Sequence, residues 1–241
     1  MKVLINKALR RIGYQIKKYR EEDIPRLKII NHFNITKLLD VGANIGQYSL
    51  DMRRLGFNKK IISFEPLKTA YNQLKEVAAK DKNWLVYNYA LGDKDVESLI
   101  NVSENSMSSS ILKMLPEHIK SAPESGYVAK EIIQVKKLDS VFETFFDDGD
   151  NMMLKIDTQG YEKNVIIGAT NALSKIRIIQ LEMSVVPLYE DEILFMEMIN
   201  FLDSNGFELF SLENGFSDGK TGKLLQLDGI FVNKKIAHQL C

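Results

Sequence analysis

The tightest constraint in this sequence is the stretch Lys37-Leu38-Leu39-Asp40-Val41-Gly42-Ala43-Asn44-Ile45-Gly46-Gln47-Tyr48. A short apolar run ends in Asp-Val-Gly, a glycine-bearing turn follows, and a helical pattern starts at about Ile45. That is a strand, a turn and a helix, built where backbone passes close to a ligand. Gly42 and Gly46 lack a Cβ and allow close approach, and the first turn of the helix offers free N–H groups. A second apolar run, Lys60-Ile61-Ile62-Ser63-Phe64, ends in Glu65. A carboxylate at the end of the second strand is where a doubly wound fold grips the two hydroxyls of a ribose.

Composition narrows the class of protein. The 241 residues suit one α/β domain with a full core. Lys+Arg and Asp+Glu are equal at 32 each, which argues against a general nucleic-acid binder, since such a protein usually carries a basic excess. Cys241 is the single cysteine, so the chain can form no internal disulfide and no cysteine-based metal site; a reducing, cytoplasmic setting is expected. No run approaches the roughly 20 apolar residues of a membrane span. The first twenty residues are basic and carry no acid before Glu21, while Ile5, Leu9, Ile12, Ile16 and Tyr19 mark one face of a helix. Residues 1–30 therefore read as an N-terminal basic amphipathic helical segment ahead of a domain at 31–241. That helix either packs on the domain or rests on an anionic membrane face or a partner protein.

Along the chain, strands are expected at about 37–41, 60–64, 84–88, 152–156 and 177–181, with helices at about 45–56, 68–79, 162–168 and 190–203. Apolar runs at 97–102 and 131–135 read as extra strands, 138–146 as a short helix, and 207–212 with 226–233 as a closing antiparallel pair. Alternating strands and helices predict an α/β fold with a doubly wound, mostly parallel sheet. Residues 103–127, rich in Ser, Asn, Pro and Glu around Ser108-Ser109-Ser110, read as a functional loop or a disordered one. Asp147-Asp148-Gly149-Asp150 reads as a solvated turn without the ligand spacing of a calcium loop.

Asp40, Glu65, Asp157 and Glu182 all stand at expected strand ends, so a parallel sheet brings them to one rim, where ligands bind. The first turn separates two cofactor classes. A nicotinamide dinucleotide needs Gly-x-Gly-x-x-Gly, but Asn44 replaces the middle glycine and Gln47 the last. S-adenosylmethionine has no phosphate; it needs room for its amino-acid end and a carboxylate for its ammonium, which Asp40 and the Gly42–Gly46 turn supply. Asp157 and Glu182 could also share a divalent metal, an arrangement disfavoured because neither motif carries a histidine. The histidines His32, His118 and His238 are lone residues, and His118 reads as a solvated loop histidine.

Five motifs occur in order: Asp40-Val41-Gly42-Ala43-Asn44-Ile45-Gly46, Phe64-Glu65-Pro66, Asn88-Tyr89-Ala90-Leu91-Gly92, Ser108-Ser109-Ser110, and Lys155-Ile156-Asp157-Thr158-Gln159-Gly160-Tyr161-Glu162. Together they resemble the FkbM family of S-adenosylmethionine-dependent methyltransferases over about residues 36–233. The resemblance implies a class I methyltransferase (Rossmann-like) fold and O-methylation, with sugar or polyketide hydroxyls as typical acceptors. It implies that Asp40, Gly42, Ala43, Asn44 and Gly46 hold the methionine end, that Glu65, followed by Pro66, binds the ribose, and that Asn88, Ala90 and Leu91 lie near the adenine. Asp157 then stands nearest the transferred methyl, as general base or acceptor anchor, with Glu182 second. The rival readings are a dinucleotide-dependent oxidoreductase, disfavoured by Asn44 and Gln47, and a non-catalytic binding protein that keeps the fold.

Overall fold

The computed structural model describes residues 25–237; the expected basic helix at 1–20, His238 and Cys241 lie outside the described residues. The chain divides into two compact units after Asn34. The described part of the first unit carries the helix Pro25–His32.

Among its described residues the second unit holds ten strands: β1 (Lys37–Val41), β2 (Lys60–Phe64), β3 (Trp84–Tyr87), β4 (Ala90–Leu91), β5 (Val96–Ser103), β6 (Tyr127–Lys136), β7 (Met152–Ile156), β8 (Ile176–Ser184), β9 (Phe207–Asn214) and β10 (Gln226–Asn233). Seven of them form one sheet in the order β3-β2-β1-β7-β8-β10-β9. The first five of that row are mutually parallel, and β10 runs antiparallel to both β8 and β9. The sequence explains the parallel core: every residue of β1 and of β7 is buried, as in a sheet with both faces covered. Helices Gln47–Arg54 and Lys68–Ala78 follow β1 and β2. From β1 the chain moves outward to β2 and β3, then returns to place β7 on the other side of β1, so the strand order reverses between β1 and β7. A crevice opens at such a reversal, beyond the carboxyl ends of the strands.

The expected extra strands make a separate sheet, ordered β4-β6-β5, in which β5 and β6 pair antiparallel with Leu99 opposite Ile132. Residues 103–127 between them are ordered. Asn101 bridges to Ser110, Met114 bridges to Tyr189, and Pro116–Ser121 is helical.

Several sequence expectations are corrected. The acidic turn at 147–150 is not merely solvated: Asp147 and Asp150 both pair with the Lys37 ammonium, which is 2% exposed and also donates to the Phe145 carbonyl. A lysine buried at the start of a parallel strand needs such partners, because an unpaired charge there would be prohibitive. The helix expected at 138–146 is one turn, Leu138–Val141, continued as the 3₁₀ turn Phe142–Thr144. Strand β8 runs past Leu181 to Ser184 because β10 pairs along it, with Asp228 opposite Glu182, so Glu182 lies within a strand and not at its end. The helix expected from 190 begins at Phe195. The residues before it are held otherwise: the Glu192 carboxylate accepts the N–H groups of Leu188 and Tyr189. Among the described residues, no helix is long and apolar enough to cross a membrane.

Candidate active site

A cavity of about 540 Å³ opens where β1, β2 and β7 end. Its floor is built by the turn after β1. The N–H groups of Gly42 and Ala43 both donate to the Phe64 carbonyl at 3.1 Å, which ties the turn to β2. Gly42 has φ +73°, and a Cβ there would stand 1.8 Å from the carbonyl oxygen of Asp157. Glycine is thus required by the approach of two backbones, the turns after β1 and β7, before any ligand is considered. Asn44, also left-handed at φ +48°, turns its N–H to Glu65 Oε2 at 2.8 Å. Leu67 N–H donates to Glu65 Oε1 at 2.8 Å. Glu65 is 4% exposed, and burial pushes its carboxyl up to about 7 against the pull of those two N–H groups.

Gly42, Ala43, Asn44, Glu65, Pro66, Ala90 and Leu91 all border the cavity, as do Asp157 and Glu182. Three residues expected there do not border it. Gly46, at φ +94°, packs the helix Gln47–Arg54 onto its neighbours: a Cβ would meet Leu74 at 2.9 Å and Trp84 at 3.0 Å. Asn88 donates its side-chain N–H to the carbonyls of Glu65 and Pro66, at 2.9 Å each, and so braces the turn that carries Glu65. Asp40 is fully buried below the floor. Its Oδ2 accepts Ser49 Oγ–H at 2.6 Å and its Oδ1 lies 3.2 Å from Lys155 Nζ. It sits one residue before the end of β1, inside the sheet, where a carboxylate can persist only with such partners.

Lys155 joins this buried pair to the cavity. Its Nζ reaches Asp157 Oδ2 at 3.5 Å and lies over the Tyr48 ring, 5.1 Å from the centroid. Burial pushes the ammonium toward neutrality, but Asp40 and Asp157 more than reverse this and hold its pKa above the ordinary lysine value. Asp157 is the accessible tip of the network, with its side chain 40% exposed. Its Oδ1 accepts Gln159 Nε2–H at 2.8 Å, and the same amide nitrogen donates to Glu182 Oε2 at 2.9 Å. Gln226 Nε2–H gives Glu182 Oε2 a second donor at 2.7 Å. The two acids are therefore bridged by an amide. Burial pushes the Glu182 carboxyl well up, and the neighbouring Asp157, Glu162 and Asp228 add to it. Glu162 itself is buried, accepts the N–H of Thr158 at 2.8 Å, and is pushed up to about 7 by burial.

The sequence reading missed several residues here. Lys155 and Gln159 stood inside a recognised motif but carried no role. Tyr189 and Gln226, distant in sequence, left no signal at all. His118 is corrected outright: it is 3% exposed, borders the cavity, and lies edge-on to Tyr189 with ring centroids 5.2 Å apart. Burial lowers its pKa, so the imidazole is held neutral. Asn44 Nδ2–H donates to Ser106 Oγ at 3.0 Å, so the 103–127 segment reaches the turn after β1.

A seven-stranded sheet of this order, with an acid after β2 and a cavity at the reversal between β1 and β7, is the class I methyltransferase arrangement. The sequence profile of the methyltransferase FkbM domain matches residues 40–209, and the chain belongs to that family. This sets aside the dinucleotide-dependent oxidoreductase. The methyltransferase sdnD of Sordaria araneosa is 24% identical over a 159-position alignment that covers 54% of this chain and 59% of that protein. The chain thus matches less than two thirds of that relative's length. Among solved structures, precorrin-6y C5,15-methyltransferase from Geobacter metallireducens aligns with 86% of each chain at 13% identity and TM-score 0.43. Aeropyrum pernix fibrillarin, solved with natively bound S-adenosyl-L-methionine, aligns at 11% identity and TM-score 0.47 over 82% of this chain and 66% of its own.

Proposed function

We propose that this chain transfers a methyl group from S-adenosylmethionine to a hydroxyl of a sugar, a glycan or another small hydroxylated metabolite. The observation that carries this reading is that the acids bordering one cavity include two suited to different tasks, Glu65 beyond β2 and Asp157 beyond β7. The donor set fits the methyl donor. Each Glu65 oxygen accepts one backbone N–H, which leaves further lone pairs for ribose hydroxyls. Leu67, Leu91 and Ile100 offer an apolar wall for a flat base. When bound, S-adenosylmethionine supplies a methyl already activated on a sulfonium. The protein is left with two tasks, alignment and proton removal.

Asp157 takes the proton of the acceptor hydroxyl as that oxygen attacks, and Lys155 balances the carboxylate's charge from below. Positioning contributes several kcal/mol to such a transfer, and a placed base adds roughly 10²–10⁴-fold. Glu182, the second candidate base, is held toward its neutral form and acts as part of the support for Asp157. Calorimetry with S-adenosylhomocysteine tests the cofactor half, with micromolar-range binding expected. A methyl-transfer screen against nucleotide sugars, glycans and small polyols tests the other half. Absence of cofactor binding sinks the whole reading, while transfer to amine acceptors alone sinks the hydroxyl assignment. Asp157→Ala keeps the binding and loses turnover; full activity in that variant would remove Asp157 as the base.

A further inference from the structure

The motif Lys155–Glu162 and the serine run Ser108–Ser110 meet at a residue that the proposed chemistry leaves unused, Gln159. Its backbone stands in the left-handed region at φ +56°. A side chain persists there only where its surroundings over-determine it. Those surroundings grip Gln159 at every polar atom they reach. Its carbonyl oxygen accepts Ser110 Oγ–H at 2.7 Å. Its side-chain Oε1 accepts the Tyr189 hydroxyl proton at 2.7 Å. Its Nε2 carries two hydrogens, and there are two acceptors for them, Asp157 Oδ1 at 2.8 Å and Glu182 Oε2 at 2.9 Å. Turned over, the amide would aim its carbonyl at the Asp157 carboxylate and lose that hydrogen bond, so the orientation with Nε2 toward the acids satisfies more partners. Tyr189 is itself 1% exposed, and the Cβ that Gly160 lacks would meet it at 3.0 Å, so the hydroxyl that locks the amide is firmly placed.

We propose that Gln159 is a positioning residue that holds Asp157 in the orientation in which its carboxylate faces the cavity, with Ser110 and Tyr189 fixing Gln159 in turn. This rests on the reading that Asp157 acts on the acceptor hydroxyl. The amide opposes a specific alternative. Lys155 Nζ lies 3.5 Å from the other Asp157 oxygen, longer than a good ion-pair hydrogen bond. Without Gln159 the carboxylate is drawn further toward that ammonium and away from the cavity. Glu182, deprived of the same donor, then faces Asp157 with nothing between them. Ser110, which does not border the cavity, acts at a distance through its contact with the Gln159 carbonyl.

The test uses the full chain, uniformly labelled with ¹⁵N, and reads the side-chain amide pair of Gln159, identified by its loss in Gln159→Leu. One proton of the pair is expected to shift in Asp157→Asn and the other in Glu182→Gln. In Gln159→Leu, S-adenosylhomocysteine affinity stays within about threefold of wild type. Its kcat, on the acceptor found by the methyl-transfer screen, falls about 10²-fold with little change in KM. Tyr189→Phe, which removes only the locking hydroxyl, decides the matter if the leucine variant does not fold; its kcat falls about tenfold. An amide pair indifferent to both acid substitutions overturns the proposal. So does wild-type kcat in whichever of the two variants folds. The spectroscopic arm needs neither methyl donor nor acceptor. A wild-type protein without turnover therefore defeats the methyl-transfer reading while leaving the bridge to be judged on the spectrum alone.

Discussion

On the proposed reading, the buried Glu65 carboxyl couples the fold to its ligand. Burial raises it to about 7, so near neutrality it is divided between a neutral and a charged form. The charged form accepts ribose hydroxyls more strongly. Cofactor affinity is therefore expected to tighten as pH rises through 7, by about five- to tenfold between pH 6 and pH 8. Glu65→Gln binds more weakly and shows no such dependence. Calorimetric titrations with S-adenosylhomocysteine at several pH values, on both proteins, check this; a flat wild-type profile would contradict it. Lys155 and Asp40 make the opposite kind of pair, both charged and both buried. Lys155→Met leaves Asp40 without its counter-ion and is expected to cost about 3–5 kcal/mol in urea unfolding. A loss below about 1 kcal/mol would mean that Ser49 alone satisfies Asp40.

At the scale of elements, the turn between β1 and the helix Gln47–Arg54 is where local chemistry and tertiary packing meet. Its glycines were legible in the sequence, but as ligand-binding features, and only in part for the right reason. Gly42 is demanded by the carbonyl of Asp157 across the β1–β7 seam, and Gly46 by Trp84 and Leu74. Gly42→Ala is expected to part those two turns, weaken cofactor binding at least about tenfold and destabilise the chain by roughly 2–4 kcal/mol. Calorimetry and denaturant unfolding read the two effects, and a variant as stable as wild type would show that the seam can open freely. The segment 103–127 shows the converse. Its polar composition gave no regular pattern, yet it is pinned by Asn44, Gln159 and Tyr189. Those contacts join residues 49 to 75 positions apart in sequence, so no local period could announce them.

For the whole molecule, the buried acids set the pH dependence of stability. Glu65 and Glu162 are raised from 4.5 to about 7, chiefly by burial. Between those values the folded chain binds more protons at these sites than the unfolded chain, so stability from them falls as pH rises. Each contributes on the order of 3 kcal/mol that is fully present below pH 4.5 and lost above 7. Asp81, Asp93 and Asp150 act in the other direction. Partial burial opposes their ionisation, but hydrogen bonds from Arg53, Tyr161 and Lys37 hold them below the usual range. Their contribution disappears in acid. Thermal unfolding is therefore expected to peak near pH 5–6 and to fall by several degrees toward pH 8. Glu162→Gln should flatten that fall, and a Tm that climbs steadily to pH 8 would contradict it.

The sequence by itself determined the α/β class, the parallel strands, the closing antiparallel pair and the family. These follow from short-range order: apolar runs of strand length, helical periods, and motifs of a few adjacent residues. It also marked Glu65 and Asp157, because an acid after an apolar run is a local event. Tertiary structure alone decided which acids meet the cavity. Asp40 and Asp157 look alike in sequence, each next to a strand's carboxyl end, yet one is sealed beneath a lysine and the other is open. Glu182 moved from a strand end to a strand interior because β10, more than forty residues later, pairs alongside it. Burial and pairing are properties of what packs around a group, and the neighbours that bury Asp40, lock Gln159 and raise Glu182 arrive from every part of the chain.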